Sequence, residues 1–316
     1  MEKRILGNTD LQVAPLALGS NVFGWTIDEK TSFEILDAFA EAGFNFIDTA
    51  DIYSNWKPGN QGGESETIIG NWLKQRGNRD QVIIATKVGG DMGLGKKCLA
   101  RNYILKAVDA SLKRLQTDYI DLYQSHYDDP ETPQEETLET YAELIKAGKV
   151  RAIGASNFTP ARLSEALKTS SNLNLPRYQT LQPEYNLYTR EAFEKELQPL
   201  CRENNIGVIP YYGLASGFLT GKYRSEADLG KSPRGGGITK YLNERGFRIL
   251  KALDEVSAEL NANPAQVSLA WLMHQPTIAA PIASATSLKQ LADLVKAAEL
   301  KLTSATLEKL NRASTY

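Results

Sequence analysis

The sequence predicts an α/β fold: a (β/α)8 TIM barrel with an N-terminal β-hairpin plug and an extra C-terminal helix. Short apolar runs alternate with helical patterns at a steady pitch, which points to a parallel sheet and its crossover helices. Eight such units occur, enough to close a barrel, whereas five or six would favour an open doubly wound sheet. Four ionisable residues, Asp48, Tyr53, Lys87 and His126, stand at or just after the C-terminal ends of expected strands. That is the face on which a parallel barrel gathers its chemistry.

Taken in order, KRILGNTDLQV (3–13) reads as two short strands about an Asn/Asp turn, a hairpin placed to plug the N-terminal mouth of the barrel. Barrel strands are expected at LALG (16–19), FNFID (44–48), VIIATK (82–87), IDLYQSH (120–126), VRAIGAS (150–156), TLQPEY (180–185), IGVIPYY (206–212) and TIAAPIA (277–283). Such apolar, β-branched or aromatic runs suit strands buried on both faces. Helices are expected to begin near Asp28, Glu64, Ala100, Thr137, Thr159, Arg190, Asn243 and Ser287, with one more opening at Asn263-Pro264. Asp28 is a capping residue type, and Pro160 and Pro264 fit a first helical turn. RSEADLGKSPRGGGIT (224–239) is a long Gly-rich loop, read as a cofactor flap. A last helix from about Ser304 to Arg312 is expected across the outside of the barrel.

Composition bounds the function. The 316 residues fit one barrel domain spanning 1–316. With 42% hydrophobic and 23% charged residues, neither disorder nor a fibrous class is indicated. The net charge of −2, from 36 basic and 38 acidic residues, offers no basic face for nucleic acid and no polybasic tract for anionic lipid. The N-terminus MEKRILGNTD has no apolar signal region, and no apolar stretch is long enough to span a bilayer, so a cytoplasmic location and a small-molecule partner are expected. Oligomeric state has no signature here. Cys98 and Cys201 lack a CxxC or Cys/His spacing, so two free thiols and no metal site are expected.

By residue type alone, each member of the tetrad has a second reading. Asp48 suits a turn or cap, and Tyr53 is one tyrosine of 14. Lys87 suits a solvated loop or a structural ion pair with Asp48. His126 suits a satisfied buried histidine, although a chain with two histidines sets this one at a strand end. No strand-associated GxGxxG opens a helix, so a Rossmann site is not expected. Phe23, Trp25, Trp56 and Tyr127, on loops after the first, second and fourth barrel strands, are candidate walls for an apolar or partly aromatic substrate. NWKPGNQGGE (55–64), with its Pro and three Gly, is a segment able to reshape that pocket.

Eight segments carry a resemblance over nearly the whole chain: RILGNTDLQVAPLALGSNVFG, GFNFIDTADIYSN, GESETIIGNWLK, VIIATKVG, LKRLQTDYIDLYQSHYDDP, LIKAGKVRAIGASNF, LQPEYNLYTR and YYGLASGFLTGKY. In this order and spacing the chain resembles the aldo-keto reductases, particularly the branch that includes potassium-channel β-subunit-like proteins. The resemblance implies reversible hydride transfer between NADPH, or alternatively NADH, and an aldehyde or ketone. Tyr53 is then the general acid, with Lys87 lowering the phenol pKa from about 10 and Asp48 holding the ammonium. His126, as a neutral imidazole, orients the carbonyl.

For the cofactor the resemblance implies Ser156, Asn157 and Gln182 at the nicotinamide carboxamide and Tyr211 stacked on the ring. The family's frequent Tyr-Ser-Pro-Leu reads Tyr211-Tyr212-Gly213-Leu214 here, which leaves Tyr212 as the alternative stacking residue to the favoured Tyr211. Gly213, Leu214, Ala215, Gly217, Leu219 and Lys222 are implied around the pyrophosphate, where small residues admit backbone N–H groups. Ser284, Thr286, Gln290 and Asp293 are implied at the adenosine half. Many relatives place an Arg where Thr286 and Ser287 stand, so a bidentate clamp on the 2′-phosphate is missing, and Asp293 adds negative charge. Both narrow the margin of NADPH over NADH. The alternative function is a nicotinamide-binding regulatory subunit in which slow chemistry reports redox state to a partner. A cofactor-free barrel isomerase or lyase leaves Ser156, Asn157, Gln182 and Tyr211 without a role.

Overall fold

The structure, a computed structural model, describes residues 2–231 and 235–316. β1 (Arg4–Ile5) pairs antiparallel with β2 (Gln12–Val13), the expected hairpin. Eight parallel strands follow: β3 (Ala17–Gly19), β4 (Phe46–Asp48), β5 (Ile83–Val88), β6 (Ile120–Ser125), β7 (Val150–Ser156), β8 (Thr180–Gln182), β9 (Gly207–Val208) and β10 (Ile282–Ala283). They pair in the order β10-β3-β4-β5-β6-β7-β8-β9. The ends of that row meet. Val208 N–H donates to the Thr277 carbonyl at 2.9 Å, Ala279 N–H to the Val208 carbonyl at 2.8 Å, and Ile282 N–H to the Pro210 carbonyl at 2.9 Å. This seam closes the sheet into a (β/α)8 barrel with no exposed edge.

Three strands are shorter than expected by three residues or more. The runs at 180–185, 206–212 and 277–283 contain Pro183, Pro210 and Pro281, each without a ladder donor, and regular pairing contracts to two or three residues there.

The helices are α1 (Glu29–Glu41), α2 (Glu64–Arg76), α3 (Arg101–Leu115), α4 (Gln134–Lys146), α5 (Pro160–Leu173), α6 (Gln198–Glu203), α7 (Glu244–Glu259), α8 (Pro264–Met273), α9 (Leu288–Ala297) and α10 (Ser304–Ala313). Asp28 caps α1 by accepting from Thr31 N–H at 2.9 Å, and Asn263 and Gln266 form a reciprocal capping box on α8. The helix expected from Thr137 starts earlier, after Pro133. The one expected near Arg190 opens into a π-helical stretch, Phe193–Leu197, before α6. Pro199 sits just beyond it and has no N–H to continue a regular ladder. α10 packs on α7, and Trp271 of α8 donates to Asn311 Oδ1 at 2.9 Å.

Side-chain alternation divides the barrel. Along β5, Ile83 and Ala85 face the lumen beside Phe46, Leu122, Ala152 and Ile209, whereas Ile84 and Val88 join the outer core under the helices. Leu6, Leu11 and Val13 of the hairpin complete the lumen cluster, so the plug is an apolar floor. Above it the lumen turns polar. Gly154 of β7 fits there because a Cβ would lie 2.2 Å from Thr180 Oγ1 and 3.1 Å from Gln124 Cγ.

The segment expected as a flap runs through short 3-10 turns at Glu226–Lys231 and Gly235–Gly237, and its residues 232–234 lie outside the described residues. Arg224 is tied to Asp254 of α7 at 2.7 Å, and Ile238 is buried in the core. Among the described residues no helix is long and apolar enough to cross a membrane. Cys98 and Cys201 are free thiols, and burial pushes Cys201 up to about 12.

Candidate active site

A cleft of about 1120 Å³ opens at the C-terminal ends of the barrel strands. The period of two that sends Ile83 and Ala85 inward brings Lys87 to the lumen's upper layer, where it is paired in register with Gln124 of β6. Asp48 ends β4, Gln182 ends β8, and Tyr53 and His126 follow on the loops after β4 and β6. The barrel thus brings the four tetrad residues together.

Lys87 is fully buried, and its three ammonium protons have three acceptors: Asp48 Oδ2 at 2.7 Å, the Thr49 carbonyl at 2.7 Å and the Tyr53 hydroxyl at 2.9 Å. Tyr53 therefore accepts from Lys87 and keeps its own proton, whose nearest protein acceptor, Asp48 Oδ2, is a long 3.4 Å away. The other Asp48 oxygen accepts from Gln182 Nε2 at 2.9 Å and Gln124 Nε2 at 3.4 Å.

Burial, and then the Asp48 carboxylate, hold the Tyr53 phenol well above its usual 10. The expectation that Lys87 brings this phenol down is corrected: the ammonium's charge is answered by Asp48 beside it, so desolvation dominates. Burial also lowers Lys87, and Asp48 opposes that shift. His126 is pushed well below 6.5 by burial and then by the cations of Lys87 and Lys97, which makes it neutral. Its ring stacks on Tyr127 at 4.7 Å and meets Tyr53 edgewise at 6.0 Å. His126 Nδ1 is buried without a hydrogen-bond partner among the described residues.

Ser156, Asn157, Gln182 and Tyr211 line the same cleft. Ser156 Oγ donates to the Gln182 carbonyl at 2.9 Å. Asn157, at φ +56°, donates from Nδ2 to the His126 carbonyl at 2.9 Å and accepts at Oδ1 from the Tyr211 hydroxyl at 2.9 Å. A ligand amide at Asn157 would have to share or replace the Tyr211 contact.

Farther along, Gly213, Leu214, Gly217 and Lys222 line the cleft, but Ala215 and Leu219 do not. Their side chains are fully buried in the core, which leaves only their backbone to face a ligand. The turn is strained, with Tyr212, Ala215 and Ser216 all in the left-handed region. At the far end are Ser284, Thr286, Gln290 and Asp293. Gln290 Oε1 accepts from Thr286 N–H at 2.9 Å, and Asp293 Oδ1 accepts from Asn263 Nδ2 and Gln266 Nε2, both at 2.9 Å.

Of the expected substrate walls, Trp25, Trp56 and Tyr127 line the cleft, the two indoles meeting edgewise at 5.6 Å. Phe23 is corrected: it is fully buried, and its carbonyl accepts from Ser54 Oγ at 2.6 Å. Sequence reasoning missed Asn21, Ile52, Ser216 and Asn263, which also line the cleft, as does Tyr212, the other tyrosine of the Tyr211-Tyr212 pair. Asn21 and Ile52 lie on the very loops that strand ends pointed to. Asn263 was visible only as a helix cap.

The cleft joins proton-donating chemistry at the tetrad to the amides and hydroxyls of Ser156, Asn157, Gln182, Ser284, Thr286 and Gln290. Its volume exceeds that of most drug-sized sites and suits a dinucleotide with a small second ligand. A sequence model of the Aldo/keto reductase family matches residues 15–315. The chain is 37% identical to the uncharacterized oxidoreductase YrpG of Bacillus subtilis, over 98% of this chain and 95% of that one. It is 36% identical to the aldo-keto reductase YhdN of Bacillus subtilis, over 87% and 82%. It is 33% identical to a probable voltage-gated potassium channel subunit beta of Arabidopsis thaliana, over 99% and 96%.

Proposed function

The chain belongs to the aldo/keto reductase family of oxidoreductases, and from that premise we propose that it reduces aldehydes or ketones to alcohols with a nicotinamide dinucleotide, Tyr53 acting as the general acid. The observation that carries this reading is the Lys87 ammonium, whose three protons are all engaged and one of which is given to the Tyr53 hydroxyl at 2.9 Å. When bound, the dinucleotide supplies the hydride.

The chain's own residues would manage the charge that builds on the carbonyl oxygen. Tyr53 is protonated at neutral pH, and its proton has only the long 3.4 Å contact to Asp48 Oδ2 to give up for a carbonyl oxygen in the cleft. As the proton leaves, the growing phenolate is met by the Lys87 N–H already aimed at it, so no reorganisation is needed. Asp48 keeps Lys87 charged in a buried setting that would otherwise favour the neutral amine. His126, neutral, can donate an N–H to the same oxygen and fix which face of the carbonyl is presented. Trp25, Trp56 and Tyr127 wall the acceptor site and restrict water.

The residues fit the dinucleotide. Ser156, Asn157, Gln182 and Tyr211 stand beside the tetrad for the nicotinamide, and Lys222 with the turn at Gly213–Gly217 would take the pyrophosphate. NADPH is the proposed cofactor and NADH the competitor, with Thr286 in place of an arginine clamp.

Titration with NADPH and NADH, followed by tryptophan quenching and then by a carbonyl screen, tests the reading. Saturable binding and turnover lost in Tyr53→Phe are expected, and absence of binding by either nucleotide would overturn it. Strong binding with negligible turnover against every carbonyl would favour a redox-sensing subunit, the reading that likeness to the Arabidopsis protein suggests.

A further inference from the structure

Beside the carbonyl end of the cleft two cations make no ion pair among the described residues: Lys57, which donates to the Gly24 carbonyl at 3.3 Å, and Lys97, which stands on an aromatic wall. Lys97 Nζ lies 4.2 Å from the centre of the Tyr127 ring, whose other neighbour is the stacked His126. Its chain neighbour Lys96 is tied to Glu131 at 2.5 Å, whereas Lys97 makes no ion pair among the described residues. The charged side chains that line the cleft are Asp48, Lys222 and Asp293. Asp48 is balanced by Lys87, and the other two stand beyond Tyr211, toward the end assigned to the dinucleotide. Lys97 does not itself line the cleft, but it stands on the ring of Tyr127, which does, so an exposed positive charge without an ion pair lies directly beside that wall.

Resting on the reductase reading above, we propose that Lys97 is a specificity-determining residue that favours carbonyl compounds carrying a carboxylate on an aromatic or apolar body. The body would lie among Trp25, Trp56 and Tyr127, with the carbonyl at Tyr53 and His126 and the carboxylate directed to Lys97. An exposed lysine in bulk water attracts an anion weakly, but low-dielectric aromatic walls beside it focus its field into the cleft. The effect is accordingly modest and sensitive to salt.

The test compares para-carboxybenzaldehyde with para-methylbenzaldehyde in the wild type and in Lys97→Gln, Lys97→Glu and Lys97→Arg. The readout is the ratio of the two kcat/KM values, in which electronic differences between the aldehydes cancel from one variant to the next. Lys97→Gln should lower the carboxylate-over-methyl ratio about two- to fivefold, through KM rather than kcat, and Lys97→Glu should lower it further. Lys97→Arg should restore it, and added salt should erode it in the wild type. A second readout needs no turnover: benzoate binding to the protein with nucleotide present, followed by Trp25 and Trp56 emission, should weaken in Lys97→Gln while benzyl alcohol binding does not follow. Reduction of both aldehydes with an unmoved ratio and unmoved benzoate affinity overturns the role of Lys97 alone. Failure to reduce either aldehyde, with benzoate affinity still dependent on Lys97, upholds the anion site and counts against the reductase reading.

Discussion

Lys87 and Asp48 form a buried ion pair, Nζ to Oδ2 2.7 Å, with neither side chain exposed beyond 1%. The pair also carries Tyr53, because the same ammonium donates to the phenol oxygen. Removing one partner strands the other in a desolvated lumen. Lys87→Met should therefore destabilise the fold by about 3–5 kcal/mol, and the double variant Lys87→Met/Asp48→Asn should recover most of that loss without recovering carbonyl reduction. Urea unfolding of the three proteins checks it, and a single variant as stable as the wild type would refute the argument.

Tyr53→Phe deletes a proton donor whose hydroxyl is hydrogen-bonded to Lys87 and Asp48 and not to Ser156, Asn157 or Gln182. Turnover should fall by about 10²–10⁴-fold or more, with nucleotide affinity nearly unchanged. If affinity falls in parallel with turnover, Tyr53 is a wall of the cofactor site rather than its acid.

Tyr53 is held above its ordinary pKa, and His126 well below 6.5. Both are then neutral from about pH 6 to pH 8, and the reduction rate of the saturated enzyme should be flat across that range. Stability should not be flat on the acid side. With its folded pKa depressed, His126 binds fewer protons in the native state, so its contribution is lost as pH falls from about 6.5 toward that lower value. In His126→Gln the acid-side decline should be shallower, a difference measurable from thermal midpoints at pH 5 and pH 7.

Thr286 lines the adenosine end and spends its N–H and hydroxyl on Gln290 Oε1. Thr286→Arg would place a bidentate donor there, and the ratio of Kd for NADH over NADPH should rise by about tenfold, as expected for a charge-assisted phosphate contact. A ratio that stays put would locate the 2′-phosphate elsewhere.

Much of the fold was legible because it follows from local rules. The tetrad was found from strand-end placement, and alternation along β5 then accounts for why Lys87 faces the lumen. What escaped depends on neighbours distant in sequence. Phe23 has a residue type suited to a cleft wall, yet packing turns its side chain into the core. The direction of the Tyr53 shift also escaped, because it depends on how Asp48 and the surrounding burial offset Lys87, and no spacing encodes that balance. Asn263 reads as a helix cap and is one, but the cap also carries Asp293 at the cleft's far end.

Asp51 was not singled out by its sequence, although it stands between two members of the tetrad. It is 3% exposed, and Oδ1 has no hydrogen-bond partner among the described residues. Burial first and the Glu66 carboxylate second raise it to about 8, against the opposing charges of Arg114 and Lys87. The native protein thus holds a proton on Asp51 that the unfolded chain releases near pH 4. Between about pH 4 and pH 8 the folded state binds more protons, so this group's contribution is fully present below that window and is lost as pH rises through about 8. Asp51→Asn keeps the size of the neutral acid and removes the titration. It should raise stability at pH 9 by an amount on the order of a few kcal/mol, at about 1.4 kcal/mol per pKa unit, and change it little at pH 4. Denaturant midpoints at the two pH values decide the matter, and parallel pH profiles for the two proteins would mean that Asp51 is ionised in the fold and paired in a way this geometry does not contain.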